Sequence, residues 1–551
     1  MLNLSSKFYK YKPHSREMLY FLLFVVIFIL LGAQSLLMIM GCDHLGWHYS
    51  AYKMTHWGQY PYRDFYDFQF FGLYLYHAAI QFIFGYSDLG FRIFDILNHI
   101  IFCLTLWITL KYLIEDIDRK QLLIILILVT VTYYGLGWWW TGQKESFLMT
   151  YIFWSFYFYK KGYVDDNIGY AILSGALNGI VFSIKPFYVI YLVLFTIIHL
   201  LFNYPYPGSL KKRIKTISLN YAGSAILIII MILYMHYLGI LSYFITNAIP
   251  HAIEFKKFGS PLSWNIFSMF FFCSPAVGFI KIPYQMMYAA LIVVSFIFII
   301  VAFIKKESRV YYILSLMFFL SIALLLYQKN GEVINHHIPL VVVKSILSSL
   351  FIYQFFNYME KYIRLIAKKH VQLITNILII FTLGVVSYPF ISLCYDSITM
   401  DLIKGKITLE EYRRKKYPSK AEEDVIANYI TQNIDREKDE ILFFCYSYYI
   451  QYHTRAKSIY RFNNNLAFVM TPAKSYLYKR FSNELVSEVI KHPPRFMVIN
   501  WNDTTWGKFT SFKEWTTSYD MLIKMPQMKD FIEKNYTRTL MLESYWVYAR
   551  K

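Results

Sequence analysis

The chain has 551 residues, of which 57% are hydrophobic and only 16% are charged. This composition excludes an ordinary soluble globular protein, in which about 25% of residues are charged. The net charge of +20 does not indicate nucleic acid binding, because much of the basic excess lies in short loops between long apolar runs. We therefore expect a polytopic α-helical membrane protein with no nucleic-acid partner.

The N-terminal segment and the cysteines add two expectations. The first apolar run follows a basic stretch but lacks a small-residue cleavage site, so we expect a retained anchor rather than a cleaved signal peptide. The five cysteines show no CxxC spacing, so neither a zinc site nor a disulfide framework is indicated. Cys42, Cys394 and Cys445 are expected near the outer side, which leaves one disulfide among them open.

Long apolar runs predict eleven membrane-spanning helices, since a helix needs about 20 residues to cross the hydrocarbon core. These runs lie near residues 18–40, 91–113, 121–138, 145–160, 167–183, 187–203, 217–238, 284–304, 310–327, 338–358 and 372–395. Two shorter apolar stretches, at 70–85 and 265–280, predict interfacial or re-entrant helices. Counting both as full spans would raise the number to thirteen.

Basic residues between the runs predict the orientation of the chain. Residues 1–17 carry a net charge of +3, LKKRIK at 210–215 has four basic residues, and KKESR at 305–309 and MEKYIRLIAKKH at 359–370 are net +2 and +3. Eleven spans place all four segments on one side, which the positive-inside rule makes cytoplasmic. Five other segments then share the outer face, together with everything after about residue 396. They are 41–90, 138–145, 183–187, 239–264 and 327–339.

The composition changes after residue 395, which predicts a transmembrane domain at 1–395 and an extracytoplasmic domain at 396–551. The second segment has a charged helical stretch at 420–430 and strand-like runs at 441–450, 495–501 and 542–550. Alternating apolar residues bounded by Pro, Asn and Asp indicate a small α/β domain. This domain either helps to recognise an acceptor or caps the outer cavity.

Polar residues on the outer face are candidates for chemistry, since charges near a membrane usually face a cavity or a partner. The candidates are the acids Asp43, Asp64, Asp67, Glu145 and Glu332, the bases Arg63, Arg92, Lys144, Lys185 and Lys329, and the histidines His44, His48, His336 and His337. Structural explanations compete with functional ones. Asp64 beside Arg63 is equally consistent with a local salt bridge, Lys185 before a proline with a snorkelling lysine, and the histidines with ordinary loop residues.

The order of motifs in the first outer loop resembles that of polyprenyl-phosphate-dependent glycosyltransferases of the GT-C fold. The resemblance lies in two segments of the sequence, GCDHLGWHYSAYKMTHWGQYPYRDFYDF and YLYHAAIQFIFGYSDLGFRIFD. This family includes protein mannosyltransferases and lipid A aminoarabinose transferases. The resemblance matches Asp43 to an acid after the first span, Gln59–Asp64 to a Y-x-D-like segment, and Arg92 to an arginine that opens the second span.

Later segments follow the same order over most of residues 18–395. GQKE at 142–145 resembles the polar turn before the fourth span, with Glu145 as its acid, and SIKPF at 183–187 resembles the lysine-proline element. YQKNGEVINHHIPL at 327–340 resembles a polar loop that ends in His-x-x-Pro. One departure is that many relatives carry Asp-Glu at the first acidic site, whereas His44 follows Asp43 here.

The resemblance implies an inverting transfer of sugar from a polyprenyl-phosphate donor to a glycan, lipid or protein acceptor. Asp43 would activate the acceptor hydroxyl, while cationic side chains would hold the departing phosphate and other polar side chains would position sugar or acceptor. The phosphate-binding set is Arg92, Lys185 and Lys329, and the positioning set is Asp64, Glu145, His336 and His337. A monophosphate leaving group does not oblige a divalent metal, so no cofactor is expected.

The abundance of Lys, Ile, Tyr, Phe and Asn is typical of an AT-rich bacterium, so we expect a multi-pass protein of the bacterial inner membrane. A flippase or transporter of lipid-linked sugars is the competing class, although such proteins commonly show two related halves with charges buried in mid-span. An oligosaccharide polymerase or ligase is the alternative within the enzyme class. The sequence favours the transferase because its charges cluster at one face.

Overall fold

The computed structural model describes residues 15–551 except 115, 203–206, 259–281, 305–308, 329–337, 367–369, 437, 463, 470, 472 and 503–516. Each of the eleven predicted spans is a helix, together with two helices in the first outer loop and one near residue 250. They are α1 (Ser15–Ser35), α2 (Cys42–Trp57), α3 (Phe71–Phe84), α4 (Asp88–Leu113), α5 (Arg119–Tyr134), α6 (Lys144–Val164), α7 (Ile168–Ile184), α8 (Ile190–Phe202), α9 (Leu210–Tyr237), α10 (Ile249–Phe258), α11 (Ile282–Ile304), α12 (Arg309–Gln328), α13 (Ile338–Ile366) and α14 (Val371–Cys394).

Among the described residues, five helices are long and apolar enough to cross a membrane, namely α1, α4, α9, α13 and α14. Several shorter apolar helices accompany them, and the fold is that of a polytopic α-helical membrane protein. The run at 70–85 forms α3, whose 14 residues measure about 21 Å at 1.5 Å per residue. This length falls short of a hydrocarbon core of about 30 Å. The run at 265–280 lies outside the described residues.

Small residues let α7 and α9 pack closely. A side chain at Gly175 would place its Cβ 1.8 Å from the carbonyl oxygen of Asn220, and one at Gly223 would come within 2.2 Å of the Ile172 carbonyl. The Asn220 amide also donates a hydrogen bond of 2.7 Å to Ser174 Oγ. In a membrane the hydrophobic effect does not drive helices together, so close packing of small residues and interhelical hydrogen bonds stabilise their association.

The C-terminal part contains a four-stranded sheet with short helices around it. The helices are α15 (Ser397–Ile403), α16 (Leu409–Lys416), α17 (Ser419–Asn433), α18 (Tyr449–Thr454), α19 (Leu466–Val469), α20 (Tyr476–Lys491), α21 (Ser518–Ile523) and α22 (Met528–Asn535), and the strands are β1 (Ile441–Phe444), β2 (Phe496–Asn500), β3 (Tyr536–Met541) and β4 (Tyr545–Arg550). The strand order is β1-β2-β4-β3, with β1 and β2 parallel and the other pairs antiparallel. The predicted α/β character is therefore confirmed. The strand predicted at 441–450 is shorter than expected because α18 begins at Tyr449.

The first outer loop packs against this C-terminal part. Tyr49 in α2 donates its hydroxyl to the Ala456 carbonyl at 2.8 Å, and the Tyr66 amide donates to the Arg461 carbonyl at 2.6 Å. A buried apolar cluster also joins Leu45 of α2 with Tyr448. The two parts of the chain are thus joined where the polar loop residues lie.

Candidate active site

The ends of three helices bring acids and lysines together beside the first outer loop. Asp43 lies in the first turn of α2, Lys144 and Glu145 begin α6, and Lys185 caps the C-terminal end of α7. Asp67, from the segment between α2 and α3, completes the group. Electrostatic interactions connect Lys144 with each of the other four. We refer to these five residues as the acid–lysine cluster.

Glu145 and Lys185 form a buried ion pair at the centre of the cluster. The Lys185 ammonium donates to Glu145 Oε1. The Glu145 side chain is fully buried and that of Lys185 is 10% exposed. The second carboxylate oxygen of Glu145, Oε2, is buried without a hydrogen-bond partner in the described part of the chain. An unsatisfied buried acceptor is costly in a folded protein and often marks a place where a ligand binds.

Lys144 connects the cluster to the outer loop. Its ammonium donates to Gln69 Oε1 and lies 4.7 Å from the centre of the Trp47 ring. Asp67 accepts the amides of Phe68 and Gln69 at 2.7 and 3.1 Å, which fixes the loop at that point. Burial raises the pKa of the Asp67 carboxyl.

Asp43 is the acid whose surroundings suit proton transfer. It is partly buried, and its carboxylate accepts hydrogen bonds from the side chains of Gln143 and Tyr446. Burial raises its pKa above the ordinary value of 3.8, while Lys144 opposes that rise. A carboxylate with a raised pKa is a stronger base than a free aspartate, which favours a role as general base near neutral pH.

The helix ends also shape the electrostatics of the site. The N-termini of α2 and α6 present unpaired amides and the positive ends of their helix dipoles to this region. Together with two lysines, such ends form a setting that binds phosphate groups. The arrangement can therefore hold a phosphate next to a carboxylate base.

Arg92, for which the resemblance predicts donor binding, is engaged within the protein. Its guanidinium is fully buried and donates to the carbonyl oxygens of Met38, Ile39, Trp138 and Thr141 and to Thr141 Oγ1. These contacts engage all five N–H donors of the side chain. Such contacts suit a side chain that positions the segments around it, while donor binding by Arg92 stays a prediction.

The bonds of Arg92 hold the two segments that carry the cluster. It joins residues 38–39, just before α2, to the turn at 138–141, just before α6. Asp95 lies 3.9 Å from the guanidinium and accepts the Tyr133 hydroxyl, which in turn accepts the Gly142 amide at 2.8 Å. Gly142 has φ = +77°, a backbone conformation that residues other than glycine rarely adopt. This network sets the start of α6 and hence the positions of Lys144 and Glu145.

Asp64 is engaged in the loop itself. Its carboxylate accepts two hydrogen bonds from Arg63, at 2.8 and 2.9 Å, and the Tyr60 amide at 2.8 Å. These local bonds shape the turn. The predicted residues Lys329, His336 and His337 lie outside the described residues, so their roles stay predictions.

Sequence reasoning left some contributors to the site without a role. Lys144 and Asp67 are among the polar candidates of the outer face, but no local pattern distinguishes them from solvated charges. Tyr446, in the C-terminal part, had no signal linking it to Asp43. The described residues contain no group of three or more His, Cys, Asp or Glu side chains placed to hold a metal ion. Cys42, Cys394 and Cys445 are free thiols in this structure.

This architecture, with polar residues gathered at helix ends beside a C-terminal sheet, is the GT-C fold of membrane glycosyltransferases. Among solved structures, ArnT from Cupriavidus metallidurans in the apo state is similar over 97% of this chain and 98% of its own, with a TM-score of 0.59 and 10% identity. The same protein bound to undecaprenyl phosphate gives a TM-score of 0.55 and 11% identity, over 96% of this chain and 98% of its own.

An oligosaccharyltransferase from Archaeoglobus fulgidus is also similar, with a TM-score of 0.52 and 12% identity over 96% of this chain and 74% of its own. No family model matches the sequence, and no match was found among proteins of curated function. The likeness to solved structures establishes the fold.

Proposed function

We propose that this protein is an integral membrane glycosyltransferase that moves a sugar from a polyprenyl-phosphate donor to an acceptor on the outer face of the membrane. The observation that carries the proposal is the acid–lysine cluster, in which carboxylates and two lysines meet where α2 and α6 begin and α7 ends. One ArnT structure of the same fold is bound to undecaprenyl phosphate, which supports a donor of this class.

In the proposed reaction, Asp43 accepts the proton of the acceptor hydroxyl as that oxygen attacks the anomeric carbon. The bond between the sugar and the phosphate breaks, and the polyprenyl monophosphate leaves. Lys144 and Lys185, supported by the amides at the start of α6, neutralise the developing charge of that phosphate. We assign Glu145 to holding Lys185 in place, and Arg92 to fixing the start of α6. Because lysines can neutralise a monophosphate, the mechanism needs no divalent metal.

The proposed location is the bacterial inner membrane, with the N-terminus cytoplasmic and residues 396–551 extracytoplasmic. The basic loops predicted from the sequence support this orientation. A lipid-phosphate sugar suits an outward-facing site, because nucleotide sugars are made in the cytoplasm and the lipid tail of the donor stays in the bilayer. The transferred sugar is a hexose or a pentose, and the acceptor is a glycan, a lipid such as lipid A, or a protein.

The test is transfer of radiolabelled sugar from undecaprenyl-phosphate sugars in membrane vesicles that contain the full-length protein. Donors that carry hexoses and pentoses are compared, and products are separated into glycolipid, glycan and protein fractions. We expect labelling in one fraction with the wild-type protein and a loss of at least 100-fold with Asp43→Asn. Flipping of the intact donor without label transfer would instead identify a transporter.

A further inference from the structure

A second polar cleft lies between the first outer loop and the C-terminal part. It has a volume of about 380 Å³, within the range of small-molecule sites. Its walls include Gln59, Arg63 and Asp64 from the loop and Ile459, Arg461 and Glu488 from the C-terminal part. Among these residues only Asp64 was predicted to have a functional role, and the reaction proposed above uses none of them.

Three of the four charged side chains that line this cleft are in ion pairs within the protein. Arg63 is bonded to Asp64, and Arg461 donates to Glu484 Oε1 at 2.6 Å. Glu488 accepts the Arg461 amide at 3.1 Å. Burial raises the pKa of the Glu488 carboxyl to about 7. The cleft therefore carries little uncompensated charge, which favours a neutral ligand.

The cleft nevertheless has unused hydrogen-bonding groups of both kinds. Within the described residues, the Nε of Arg461 is a buried donor without a hydrogen-bond partner, on a side chain that is only 8% exposed. Gln59 Oε1 is likewise a buried acceptor with no partner among the residues that the structure describes, while the amide nitrogen of the same side chain donates to the Ser458 carbonyl at 3.2 Å. Hydroxyl groups both donate and accept, and therefore satisfy both atoms. Ile459, which is 38% exposed, offers an apolar surface beside them.

The cleft is held in a fixed relation to the acid–lysine cluster. Arg461 Nη2 donates to the Tyr62 carbonyl at 2.8 Å, and the Arg461 carbonyl accepts the Tyr66 amide at 2.6 Å. Asp67 of the cluster is three residues beyond Asp64 of the cleft, so their Cα atoms are at most about 11 Å apart. The same loop segment therefore contributes to both the cleft and the cluster.

We propose that this cleft binds a neutral, hydroxyl-rich sugar unit of the acceptor, and thus that the acceptor carries a glycan. This inference rests on the proposed function, which it deepens by naming the chemical class of the acceptor. The sugar hydroxyls would bond to Arg461 Nε and Gln59 Oε1, and the C–H face of the ring would lie against Ile459.

The test is saturation-transfer-difference NMR of the full-length protein in lipid nanodiscs, without sugar-based detergents. The probes are glucose, mannose, galactose and maltose, with inorganic phosphate followed by ³¹P line width as the charged comparison. We expect saturation transfer to at least one of these sugars with the wild-type protein, and at least fivefold less with Ile459→Trp or Gln59→Leu. Ile403→Trp is the matched control, because Ile403 is 57% exposed on α15 and does not line the cleft.

Absence of transfer to all four sugars would overturn the proposal, as would equal transfer with Ile459→Trp and the wild type. Phosphate broadening that is lost in both cleft variants would overturn it as well, since it would identify an anion site. Thermal unfolding of each variant establishes that it is folded. The NMR measurement uses no donor and is therefore independent of the transfer assay. If the protein transfers sugar from undecaprenyl phosphate but shows no sugar binding by NMR, this proposal alone is refuted. If sugar binds but no transfer occurs, the proposed function is refuted.

Discussion

Replacing Lys185 by methionine tests the central ion pair of the site. The change leaves the fully buried Glu145 carboxylate without its cation. Breaking a buried pair in this way typically costs about 3–5 kcal/mol of stability. The double variant Glu145→Gln/Lys185→Met has no unpaired charge, and we expect it to recover at least half of that loss. The free energies of unfolding are measured by SDS titration in mixed micelles.

The same variants separate folding from chemistry. If Lys185 also stabilises the leaving phosphate, we expect the double variant to transfer sugar at least 100-fold more slowly than the wild type even though its stability is restored. The reason is that removing one such electrostatic group lowers the rate by about 10²–10³. Lys215→Met is the matched control, because the Lys215–Asp166 pair is about half exposed and exposed pairs contribute at most about 1 kcal/mol. A single Lys185 variant as stable as the wild type would refute the energetic reasoning, and a double variant with normal transfer would refute the role in phosphate binding.

Three further outcomes are expected. Asp43→Asn lowers transfer at least 100-fold but leaves the binding of undecaprenyl phosphate, measured by thermal shift, unchanged. In the wild type, transfer activity falls on acidification with a midpoint above pH 3.8, because burial raises the pKa of Asp43. The lysine of Arg92→Lys has too few N–H donors for the five oxygens that accept hydrogen bonds from the arginine. Each carbonyl left unpaired lowers the free energy of unfolding, measured by SDS titration, by about 1–3 kcal/mol. Burial raises the pKa of Glu488 from 4.5 to about 7. Between pH 4.5 and 7 the folded state therefore binds more protons than the unfolded state, so the free energy of unfolding falls as pH rises. We expect Glu488→Gln to reduce this dependence of stability on pH, measured by thermal unfolding.

The sequence predicted the helices well because the signal for a membrane helix is local. An apolar run of sufficient length has no alternative way to satisfy its backbone in lipid, so the eleven runs became helices whatever packs against them. The grouping of Asp43, Glu145 and Lys185 on one face was also predictable, since charge counting in the loops fixes which helix ends lie together.

The details of the site depended on groups that a sequence does not display. Nothing in the sequence shows that the backbone carbonyls at 38–39 and 138–141 turn towards Arg92. Tyr446 lies more than 400 residues from Asp43, and only the packing of the C-terminal part on α2 brings the two together. Strand β3 was missed because four of its six residues are exposed, so its sequence lacks an apolar pattern.

The hydrogen bond between Tyr446 and Asp43 has a consequence for how the protein is made. A ribosome synthesises the helices that carry Asp43, Lys144 and Lys185 long before it reaches Tyr446. A nascent chain that has already inserted these helices therefore holds Asp43 without the Tyr446 hydroxyl, and without the C-terminal wall of the second cleft. Under the proposed function, the site is complete only after the C-terminal part has folded onto the first outer loop.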